Sequence, residues 1–303
     1  MTSHDLPEPH DPLDPELGEL LGLLARLDAA APPASVRDRV LAGAAGSPRE
    51  ATPSMPALDV FEHCVTTLDE LLAGLGDGDH LRDVSAYDWT VHELIAHLAA
   101  VEHHTRSVLG LAPDDRDPDR LDHLSVGREF RAGLLTRPPR DAVDAWRDAA
   151  YDTIAHLRAG MGPGPQAVVQ LHQWPFALDS LLIVRSFEVW THTDDVRRAT
   201  GRPLDAPPPA ALRAMSSLSV QSLPLLSAVV TSRAEVPGVR VVLTGEGGGT
   251  HDIGTGARTA TMVADVVDYC RLVARRADAS VFEVEGDPAL AADLVAAAQA
   301  IAM

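Results

Sequence analysis

The chain has 303 residues, enough for two modest domains, and its 46% hydrophobic and 23% charged content is that of a globular protein able to bury a core. A net charge of −19 works against binding a phosphate backbone or an anionic membrane surface. No Lys and no Asn occurs anywhere, so all 25 basic residues are Arg, which excludes Schiff-base lysines, a P-loop lysine and Asn-linked glycosylation. This deficit, with its excess of Ala, Arg, Asp, Gly and Pro, is the composition of a GC-rich, actinobacterium-like genome.

Cys64 and Cys270 stand far apart, each inside an apolar helical pattern, and read as reduced core thiols. Residues 1–16 are acidic and Pro-rich with no basic or apolar signal region, and no apolar stretch reaches membrane-span length. The expectation is a cytoplasmic protein with no membrane or nucleic-acid partner.

In chain order, residues 1–57 predict an N-terminal helical extension, partly disordered: Leu17 to Leu27 make one short amphipathic helix and Ser35–Ala45 a second, before the linker residues Gly46, Ser47, Pro48, Pro53 and Pro56. From residue 58 to 205 the period is helical throughout. Leu58, Phe61, Val65, Leu68, Leu72 and Leu75 form one stripe, ending near Gly76. A second helix is expected from about Thr90, capped by Asp88 or Thr90, to Gly110. A charged loop over 114–119 leads to a third from Asp141 to Gly160, and a fourth runs from Ala177 to about Thr200. Four long helices without a strand between them predict a four-helix bundle.

Residues 206–303 change period. An apolar helix, 210–230, holds Pro224; Val239–Leu243 has strand length; the glycines Gly247–Gly249 suit a hairpin; 262–274 reads as helix, 280–285 as strand, and Pro288–Met303 as an Ala-rich terminal helix. The prediction is α + (α+β): the bundle followed by a small α+β domain.

Glu188 and His192 lie four apart on the fourth helix, so both project from one face, and His97 lies in the apolar run Leu94-Ile95-Ala96-His97-Leu98 of the second. Two imidazoles and a carboxylate make a set that holds a divalent ion, Zn²⁺ among them, with a position left open. By spacing alone the same residues also fit an ordinary polar network in a core. The other histidines offer no partner at ligand spacing, and His103 and His104 read as solvated.

Tyr87 to Leu98, with Asp88-Trp89-Thr90 at its start, resembles the opening of the second helix in DinB-like metal-binding bundles. Phe187-Glu188-Val189-Trp190-Thr191-His192-Thr193-Asp194-Asp195-Val196 resembles the fourth-helix motif of the mycothiol-dependent maleylpyruvate isomerase family. That family carries a small sterol-carrier-like α+β domain, and Val284-Glu285-Gly286-Asp287-Pro288 is similar to its last strand-to-helix turn.

The resemblance implies that His97, Glu188 and His192 are ligands of a divalent metal, and that Asp195 matches the family's aspartate. It also places Arg275 or Arg276 near a Gly-Arg pair that faces the site from the second domain, although this chain has Ala-Arg-Arg there; Arg276 is the expected carboxylate clamp. Mycothiol is the implied thiol cofactor, its metal-bound thiolate adding to an electrophilic carbon in cis–trans isomerisation or S-transfer. A different class of function stays open: a non-catalytic, metal- or thiol-responsive regulator binding a protein partner through the N-terminal extension.

Overall fold

The computed structural model describes residues 53–111, 127–171, 174–231 and 235–301. The expected N-terminal helices, the 114–119 loop and the last two residues lie outside the described residues.

Helix α1 (Ala57–Ala73) presents Val60, Phe61, Cys64, Val65, Leu68 and Leu72 to the core. Helix α2 (Val91–Val108) starts at a reciprocal cap: the Thr90 hydroxyl accepts from the Glu93 amide, and the Glu93 carboxylate accepts from the Thr90 amide. Thr90, not Asp88, is therefore its cap. Two-residue strands β1 (Asp83–Val84) and β2 (Trp89–Thr90) pair just before it, so Trp89 is fixed at the mouth of the helix.

Helices α3 (Arg128–Leu135) and α4 (Pro139–Arg158) follow, then a hairpin of β3 (Val168–Leu171) and β4 (Trp174–Ala177), then α5 (Leu178–Ala199). The four long helices are those the sequence predicts, with ends moved by up to three residues. The two strand pairs and α3 correct the expectation of uninterrupted helix: each is too short for a visible period. The bundle pairs α1 with α5 and α2 with α4. Most of α5 is buried, polar residues included, so it runs through the interior rather than over it.

The C-terminal domain begins with α6 (Pro209–Val230), which carries Pro224 inside it as expected. Four strands, β5 (Pro237–Thr244), β6 (Gly249–Ile253), β7 (Thr255–Asp265) and β8 (Glu283–Gly286), make one sheet in the order β6-β5-β7-β8. β5 is antiparallel to β6 and parallel to β7. Helices α6, α7 (Val266–Val273) and α8 (Pro288–Gln299) pack against one another and against the sheet. The expected helix over 262–274 is corrected. Its first residues finish β7, and the break is Asp265, whose carboxylate accepts from the Val267 and Asp268 amides. The expected strand over 280–285 is corrected too: a 3₁₀ turn, Ala279–Val281, precedes β8.

Arg213 of α6 donates to the Gly248 carbonyl and lies where a Cβ on Gly249 would sit, so that turn has no room for a side chain. Beside it on β6 is His251, whose pKa is pushed down to about 4, first by burial and then by the Arg213 charge, against an opposing pull from Asp252. The unfolded imidazole titrates near 6.5, so protonation favours the unfolded chain. The stability that His251 supplies while neutral is complete above pH ~6.5 and is lost as pH falls toward 4, a change of about 3 kcal/mol at most. Urea melts across that window are expected to show the decline, and His251→Gln to flatten it. An equal slope in the variant would assign the acid sensitivity elsewhere.

Candidate metal centre

His97, Glu188 and His192 converge: each offers one donor atom, and these atoms all lie within 4.8 Å of one another. His97 Nε2 is 3.4 Å from Glu188 Oε1. The two imidazoles meet edge to face with ring centroids 5.9 Å apart. His97 and His192 are buried and Glu188 is half-buried. Two nitrogens and one oxygen at this separation are the donor chemistry of a divalent cation site with an open coordination position, so the residues fit the ion that the sequence implies.

Each donor is held from behind. His192 Nδ1 is 3.1 Å from Asp195 Oδ2, and as donor in that bond it leaves Nε2 with its lone pair. Asp195 also accepts from Arg276 Nε at 2.8 Å and Nη2 at 2.7 Å. Burial pushes the Asp195 carboxyl up, but the bonds from Arg276 and His192 outweigh it and hold the group at about 2. His97 packs against Trp89 at 5.3 Å, and His192 against Tyr87 at 5.9 Å. Tyr87 and Trp89 stack on each other at 4.7 Å, so the β1–β2 turn supplies one aromatic wall that touches both imidazoles. Arg131 of α3 lies 4.2 Å over the Trp89 ring and Arg276 lies 5.3 Å over Tyr87. Trp89, placed by the sequence at a helix start, is thus a neighbour of the site as well.

The choice between Arg275 and Arg276 is settled by backbone geometry. Helix α7 closes with the Arg276 amide on the Arg271 carbonyl and the Arg275 amide on the Leu272 carbonyl, and Arg275 has φ 58°. Arg275 therefore fills the left-handed position after a helix, where glycine is favoured, and its side chain turns out to the Gln299 carbonyl. Arg276 is the member of the pair that reaches Asp195 beside the site. Arg276 is not an open clamp, however. Its fork is filled by Asp195, and its remaining bonds go to the Ala274 carbonyl and the Tyr87 hydroxyl. Arg271 reaches Asp194 at 3.3 Å, so successive aspartates of α5 tie the bundle to the C-terminal domain.

Other features escape sequence reading. Glu102 of α2 and Arg185 of α5 are fully buried and paired, and Arg185 also donates to Glu188. His104, expected in solvent, is buried, while His103 stacks on Phe130 at 4.6 Å. A cavity of about 220 Å³ lined by Cys64, Trp190 and Arg197 opens on the opposite face of α5.

A helical bundle whose inner face gathers two imidazoles and a carboxylate, followed by an α+β domain that reaches back to it, has the architecture of the DinB-like helical fold, with a cluster that could hold a metal ion. Residues 61–197 match the family described as mycothiol maleylpyruvate isomerase N-terminal domain. A crystal structure of the mycothiol-dependent maleylpyruvate isomerase is similar at a TM-score of 0.52 and 17% identity, over 76% of this chain and 92% of that one. The structure of a histidine-to-alanine mutant of that isomerase matches at 0.50 and 16% over the same shares. This likeness shows that the fold is shared along both the bundle and the α+β domain. No curated protein matches the sequence. Among the described residues, no helix is long and apolar enough to cross a membrane.

Proposed function

We propose that the chain is a mycothiol-dependent isomerase of a small electrophilic substrate, with His97, Glu188 and His192 as ligands of a divalent cation. The observation that carries this reading is the converged donor set, with every donor oriented by a neighbour. When bound there, the cation keeps the sulfur of a small thiol deprotonated near neutral pH. The protein does not supply that sulfur itself. Cys64 and Cys270 are buried outside the donor cluster, and burial pushes the Cys64 thiol up to about 12 and Cys270 higher still.

The chain's own residues divide the remaining work. Asp195 holds the His192 tautomer and keeps its own negative charge, since its carboxyl is held at about 2. Arg276 locks Asp195 in place and retains N–H capacity at Nη1 for one anionic oxygen of a substrate, a single contact in place of the two-pronged clamp that sequence implies. Tyr87 and Trp89 shield both imidazoles from water on one side. Zinc is the ion we assign, the donor set being of the kind that holds it with an open position.

The test is elemental analysis of protein purified without chelator, followed by maleylpyruvate turnover with and without mycothiol. About one zinc per chain and turnover that requires the thiol and stops with a chelator are expected. Metal-loaded protein that turns over nothing with thiol would move the function to metal-dependent regulation. Absence of metal after zinc is added would remove the proposed site altogether.

A further inference from the structure

Glu188 is the donor with the most freedom: it has three side-chain torsions and remains 17% exposed, against 6% and 9% for the two imidazoles. Trp89 packs against His97 and Asp195 bonds to His192, whereas Glu188 has a different support. Arg185, one turn earlier on α5, donates from Nη1 to Glu188 Oε2 and from Nη2 to Glu102 Oε1. Glu102 stands on α2, five residues beyond His97, with its side chain fully buried, and Arg185 is 1% exposed. Arg185 therefore bridges two carboxylates from the two helices that carry the ligands.

Stability alone is a poor reason for such an arrangement. A buried ion pair returns little or nothing over apolar residues of the same size. Its geometry has a more specific result. Oε2 of Glu188 is taken by the guanidinium, while Oε1 is the oxygen that faces the His97 imidazole. Glu102 in turn cancels a positive charge that would otherwise stand beside a dication. We propose that Arg185, anchored by Glu102, is a positioning residue that presents Glu188 to the cation through one oxygen. This inference rests on the metal site proposed above.

Two variants test it. Arg185→Lys keeps the charge but loses the fork that spans both carboxylates. The double variant Arg185→Met with Glu102→Gln removes both buried charges at nearly constant volume, which preserves the fold. Zinc affinity of each chain, prepared metal-free, is measured by competition with a chromophoric chelator, and Co²⁺ is added separately to read coordination from its visible absorption. Zinc is expected to bind about 10- to 100-fold more weakly in both variants, with a changed Co²⁺ spectrum as Glu188 loses its fixed orientation. Folded variants that bind zinc as wild type does, with the same Co²⁺ spectrum, overturn the positioning role while leaving the metal site standing. Failure of wild type to bind either ion instead defeats the site on which the inference rests.

Discussion

His192→Ala is expected to give a folded protein nearly devoid of metal, with thiol-dependent turnover lowered by at least about 10³-fold. A catalytic metal ion's stabilisation of developing charge is worth several kcal/mol in general, and each 1.4 kcal/mol is about a factor of ten in rate. Among the three donors, His192 is the one whose loss is simplest to interpret. Its imidazole bonds to Asp195, and Asp195 keeps two bonds from Arg276 when the imidazole is gone. Glu188→Ala would instead leave Arg185 buried with half of its countercharge, mixing a stability loss with a binding loss. Elemental analysis, a thermal melt and turnover on the same His192→Ala preparation separate the possibilities. A native melt with near one metal per chain would remove His192 from the ligand set.

How far the sequence exposes this site depends on what each residue owes to local pattern. Glu188 and His192 are legible because four residues on a helix bring two side chains to one face, and His97 because it interrupts an apolar run. The fold class is legible for the same reason: long helices have a period, and the 206–303 segment does not share it. Arg185 and Glu102 are invisible to this reasoning. Each looks like a solvated helix charge until tertiary packing of α2 against α5 buries both. The β7 strand is misread because Thr255–Asp265 is Ala- and Thr-rich and runs without a gap into helix α7. The Asp265 cap is the one local signal of the boundary, and a lone Asp ahead of an apolar run carries little weight against a continuous pattern. Strand pairing with β5, some twenty residues away in sequence, decides the matter and is not a local property. Arg276 is legible only through the resemblance, since two adjacent arginines are equivalent until one of them is forced into the left-handed conformation.

Asp195→Asn and Arg276→Gln should separate a pair of functions that the structure joins at one carboxylate. Asp195 is 1% exposed and accepts three bonds, one from His192 and two from Arg276 across the domain junction. Asparagine keeps one acceptor but no charge. It therefore leaves a largely buried guanidinium unneutralised, at a cost of about 3 kcal/mol, and loosens the His192 tautomer, weakening metal binding about 10- to 100-fold. Arg276→Gln leaves the His192–Asp195 bond in place, and removes a group that bonds Asp195, the Ala274 carbonyl and Tyr87 but none of His97, Glu188 and His192. Its metal content is expected to match wild type while turnover falls by about 10²-fold, through a raised KM if the residual Nη1 donor meets a substrate oxygen. Zinc content, urea stability and the KM against kcat split, measured on both variants, decide between these roles. Equal loss of metal in both would mean that Arg276 acts only by holding Asp195. Unaltered metal with a pure KM effect would place it against the substrate, and would make the second domain a component of the active site rather than a weight fastened to it.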